Sequence, residues 1–109
     1  MKAPCEDVVK YLLPALRALV AEKLIEDYGL SQAKVAKVMS VSQPAVSYYC
    51  RAKRGLKAYP LIKGNEKLKP LIDELTEAIY KGAGTEETTC IFRKICHLAR
   101  EMGIIPFKG

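Results

Sequence analysis

The chain has 109 residues, with 18 Lys and Arg against 12 Asp and Glu for a formal charge of +6 and a pI near 9.2. That length suits one domain with a core of its own and is short for two, and the basic surplus favours polyanionic partners such as nucleic acid or anionic lipid. No apolar run approaches the roughly 20 residues that span a bilayer, and the opening MKAPCEDVVKYLLP places the acids Glu6 and Asp7 where a secretory signal would be basic; the expected location is the cytoplasm, with no membrane partner.

Helical periodicity dominates and no alternating strand pattern exceeds about four residues, so the expected fold is all-α, a compact bundle of five to six helices forming a single domain over 1–109. Pro4 suits a first helical position, Glu6 and Asp7 suit the first turn, and Val8, Val9, Leu12 and Leu13 supply an apolar face. Pro14 then either kinks that helix or opens a new one. Leu16, Val20, Leu24 and Tyr28 recur every four residues, with Leu19 widening the stripe and Arg17, Glu22, Glu26 and Asp27 on the other side. Gly29 ends this helix.

Ser31 is an N-cap for a helix of about two turns, with Val35, Val38 and Met39 inward and Lys34 and Lys37 outward. Ser40 and Val41 make a corner, Ser42 caps again, and Pro44 falls in the next first turn, where a missing N–H is harmless. Val46 and Tyr49 face inward. From Arg51 to Asn65 the pattern breaks at Gly55, Pro60 and Gly64, which predicts a basic loop. Periodicity returns with Leu68, Leu71, Ile72, Leu75 and Ile79, closed by Gly82 and Gly84. A last helix from Thr85 carries Ile91, Ile95, Leu98 and Met102 and stops at Gly103.

Two short helices crossing at a sharp corner need a small residue where they touch and a branched apolar residue beneath the second. Ala36 and Val46 hold those places. The corner's first position favours glycine, because left-handed backbone disfavours a Cβ, yet Ser40 stands there. The segment LSQAKVAKVMSVSQPAVSYYCRAKRG resembles the helix-turn-helix of the Xre and lambda-repressor class of transcription regulators. The LSQ start, the VA pair, the VS corner and the AVSYY helix running into KRG carry that resemblance, and the flanking helices resemble those of small archaeal regulators.

The resemblance implies five helices with the DNA-reading pair second and third, and a sequence-specific regulator of double-stranded DNA. It places Gln32 at the start of the bracing helix, near phosphate, and Ser42, Gln43, Pro44, Ser47 and Tyr48 on the outer face of the reading helix. The residue chemistry agrees. Glutamine pairs bidentately with adenine, serine bonds either base type, and Pro44 and Tyr48 suit a thymine methyl. Arg51, Lys53, Arg54 and Lys57 suit phosphates, adding affinity without sequence information. A reading helix spans only a few base pairs, so a homodimer on paired half-sites is expected, with 66–105 as the dimerisation region.

The four cysteines leave three readings open. Without an export signal they read as free thiols. Cys90 and Cys96 are six apart and about 120° apart around a helix, so spacing alone makes no chelate, and no CxxC or CxxxH zinc pattern is present. Cys5, Cys90 and Cys96, with Cys50 or a partner subunit, are the candidate ligands of zinc or an iron–sulfur cluster gathered in space. A disulfide from Cys5 to one of the C-terminal pair is the third reading. His97 shares a face with Cys90 and reads as a surface or core residue.

Nothing resembles a catalytic site: KGAG is too short for a phosphate loop, and no nucleophile has an identifiable base. The expectation is therefore a non-enzymatic DNA-binding regulator. Two other functions stay open, a regulator that senses through thiols, a metal or a cluster, and an antitoxin-like interaction module that holds a partner protein with its C-terminal helix.

Overall fold

Val8–Leu12 forms a π-helical turn that runs directly into helix α1, Leu13–Glu26, in a computed structural model that describes residues 8–104. The expected helix start at Pro4, with Glu6 and Asp7, lies outside the described residues, as do Cys5, the side chain of Val9 and the tail beyond Ile104. Pro14 stands in the first turn of α1 and the chain stays helical across it, with Leu12 at φ −73° and ψ −48°. Proline has no N–H for the Lys10 carbonyl and its ring crowds that group, which accounts for the widened turn before it.

Five more helices follow: α2 Gln32–Met39, α3 Gln43–Ala52, α4 Tyr59–Ile62, α5 Lys69–Tyr80 and α6 Thr85–Glu101, with a 3-10 turn over Lys53–Gly55. Among the described residues there is no strand, and no helix is long and apolar enough to cross a membrane. The all-α bundle of five to six helices is thus the observed architecture.

At its centre lies α1. Helices α2, α3, α4 and α5 all pack against it, and α6 packs on α5. Ala15, Leu16, Leu19, Val20, Ala21 and Leu24 are buried, so α1 is apolar on nearly every side rather than along one stripe. Two residues depart from the expected stripe. Tyr28 lies past the end of α1 and is exposed, its ring 4.6 Å from that of Tyr80. Glu22, expected outside, is only 8% exposed.

The cause is α4. The expected loop from Arg51 to Asn65 is instead the end of α3, the 3-10 turn and α4, whose Tyr59 and Ile62 are buried along with Ala58 just before it. This segment lies over the side of α1 that carries Glu22. Asn65 then accepts hydrogen bonds from the Lys67 and Leu68 amides at 3.0 and 3.1 Å, closing the turn that leads into α5. Of the expected apolar positions, Leu68 just before α5, Ile72 and Leu75 in α5 and Ile91 and Ile95 in α6 are buried, while Leu71, Ile79, Leu98 and Met102 are half-buried.

Candidate nucleic-acid interface

Serine capping builds the two short helices. Ser31 Oγ accepts from the Lys34 amide and Ser42 Oγ from the Ala45 amide, each at 3.2 Å, satisfying N–H groups that have no partner inside the helix. Between them Ser40 adopts φ 58° and ψ 43°. The Ser40 amide donates to the Lys37 carbonyl at 3.2 Å and the Val41 amide to the Ala36 carbonyl at 3.0 Å. This paired closure of a helix end is the Schellman pattern, which usually places glycine where Ser40 stands.

Packing fixes the crossing of α2 and α3. Val35 and Ala36 on α2 and Val46 and Tyr49 on α3 are buried, Val46 completely. The residues expected to reach DNA divide by environment. Gln32, Ser42, Gln43, Pro44 and Tyr48 are exposed, Tyr48 to 51%. Gln32 Nε2 lies 3.9 Å from Cys50 Sγ, so the start of α2 touches the last turns of α3. Ser47 is half-buried, and its hydroxyl accepts a hydrogen bond from Arg51 Nη1 at 2.6 Å.

The four basic residues that follow are not equivalent. Arg54 and Lys57 are exposed, Arg51 is engaged with Ser47, and Lys53 is directed to Glu22, its Nζ 3.4 Å from Glu22 Oε2. Lys53 thus belongs to a polar cluster beneath the end of α3. Tyr59 donates to Glu22 Oε1, while Lys63 Nζ reaches Glu22 Oε2 at 2.8 Å and the Tyr59 hydroxyl at 3.1 Å. Burial alone would raise the Glu22 carboxyl, but hydrogen bonds from Lys63 and Tyr59 and the charge of Lys53 outweigh it and hold the group below its ordinary range. Burial and the Glu22 carboxylate push the Tyr59 hydroxyl up, and the bond to Glu22 pushes Lys63 up. Sequence reasoning missed this cluster. Its one signal was an acid set among alanine, leucine and valine in the run ALVAEKL.

The three described cysteines divide between two elements. Cys50 is half-buried in α3, which continues two residues past it, while Cys90 is exposed and Cys96 half-buried on α6. Among the described residues no group of three or more His, Cys, Asp or Glu side chains is placed to hold a metal ion. His97 is exposed, 3.1 Å from Glu101.

The described chain is therefore an all-helical bundle that presents one capped, sharply angled helix pair with a polar outer face and basic residues at its end. Comparison with protein-family models, with curated proteins and with solved structures gives no match.

Proposed function

We propose that the protein is a sequence-specific regulator of the Xre-like helix-turn-helix class that binds duplex DNA through α2, α3 and the turn that follows. The observation carrying this reading is the left-handed Ser40 corner between two serine-capped helices, with Val35, Ala36, Val46 and Tyr49 packed inside and Gln43, Pro44 and Tyr48 outside. A helix supported in this way lies in a major groove with its N-terminal residues at base edges. Gln43 reads a base, Ser47 and Tyr48 add contacts, and Arg54 and Lys57 hold phosphates. Two copies joined through 66–105 place two such helices on paired half-sites. The net charge of +6 supports the same partner.

Selection of bound duplexes from a random library tests this. An inverted repeat is the expected winner, and Gln43→Ala with Ser47→Ala costs roughly 1–3 kcal/mol of discrimination at one half-site position. Unchanged sequence preference in that double variant would remove α3 as the reader.

A further inference from the structure

At the corner lies an open groove of about 580 Å³ between α1, the end of α2 with Ser40 and Val41, the end of α5 and the start of α6. Its floor is apolar: Val20, Val38, Met39, Val41, Ile79 and Phe92 line it. Among the described residues its charged lining side chains are Arg17 and Lys37, both exposed, and none is a carboxylate. Several lysines elsewhere in the bundle are ion-paired, Lys23 and Lys69 with Asp73 at 3.0 and 3.2 Å and Lys81 with Glu77 at 2.7 Å. Arg17 and Lys37 have no ion pair or hydrogen bond through their side chains among the described residues. A mostly apolar concavity of this size with a few charged groups of one sign matches the general form of a small-ligand site, roughly 300–1,000 Å³.

We propose that this groove binds a small amphipathic carboxylate, an aliphatic or aromatic acid whose apolar body lies on the Val20, Met39 and Phe92 floor and whose anion meets Arg17 and Lys37. The sign of the charge selects the ligand. A neutral apolar molecule leaves both cations unused, and an amphipathic cation is repelled by them. The groove borrows the end of α2 and the Ser40 corner, but Gln43, Ser47, Tyr48, Arg54 and Lys57, the residues proposed to touch DNA, do not line it, so loss of carboxylate binding and loss of DNA binding are separately measurable.

The test is a titration of the isotope-labelled full chain with decanoate below its micellar range, followed by amide NMR, with decanol and decylammonium as probes of equal chain length. Decanoate is expected to move the amides of 38–41, 79–83 and 92, and to bind about tenfold tighter than decanol, a difference of roughly 1.4 kcal/mol. Arg17→Gln with Lys37→Gln should abolish that preference and leave decanol binding unchanged. Lys67→Gln with Lys94→Gln, which removes the same charge from exposed positions outside the groove, should leave decanoate binding intact. Equal binding of the three probes, shifts centred elsewhere, an equal loss in both double variants, or no binding of decanoate at all would each overturn the proposal.

Discussion

Ser40 concentrates the backbone strain of the corner in one residue, the only non-glycine described residue at positive φ. The same paired helix closure ends α5 at Gly82, with φ 79°, and there the residue is glycine. An L-residue in left-handed backbone costs roughly 1–2 kcal/mol, and glycine avoids that at the expense of roughly 0.5–1 kcal/mol of extra unfolded-state freedom. Ser40→Gly should therefore raise stability by about 0.5–1 kcal/mol in urea unfolding, with no change of slope. A loss of stability would mean that the serine side chain holds the corner by itself. This residue was legible from the sequence, because the two serines flanking Val41 and the following proline fix where one helix must end and the next begin. Tyr28 was not legible, since its four-residue spacing extends a helix that the backbone has already left.

Between elements, the decisive join is the one the sequence concealed. Four residues of helix are too few for a 3.6-residue period to be recognised, and the surrounding Gly55, Pro60 and Gly64 are the usual marks of a loop. Once α4 lies on α1, Glu22 must be buried, and burial of a carboxylate requires partners. Lys63, Tyr59 and Lys53 are those partners, and they attach both α4 and the turn after α3 to the central helix. Glu22→Gln leaves the ammonium groups beside a neutral amide. Loss of one member of a buried pair costs roughly 3–5 kcal/mol, and the half-exposed Lys63 reduces that through solvent screening, so about 2–3 kcal/mol should be lost at pH 7. The pH dependence has a defined sign. The folded carboxyl titrates below its ordinary 4.5, so its stabilisation is fully present above that value and is lost as pH falls through the lower folded value. Urea midpoints measured from pH 7 down to pH 3 should fall more steeply for the wild type than for Glu22→Gln; parallel curves would show that Glu22 contributes no charge-dependent stability.

At the scale of the whole molecule, positive charge was readable as a sum and not as a distribution. Composition gives +6 and the run RAKRGLK suggests one basic patch, but the fold assigns its members to different work. A lysine and an arginine that are neighbours in the chain end in opposite environments: Lys53 is held against buried Glu22 while Arg54 is exposed. Periodicity could not separate them, because the 3-10 turn that carries both follows no helical spacing and their directions depend on α1 and α4. The proposed DNA binding makes that separation measurable. Each phosphate contact contributes about 0.9 to the slope of log affinity against log salt, so Arg54→Gln should lower the slope by about one per protomer and leave thermal unfolding within roughly 0.5 kcal/mol of wild type. Lys53→Gln should do the reverse, costing roughly 1 kcal/mol of stability while the salt slope stays within error. If Lys53→Gln reduced the slope as much as Arg54→Gln did, the ammonium would have left Glu22 for the phosphate on binding, and the cluster would be a contact surface rather than the anchor that sets the end of α3.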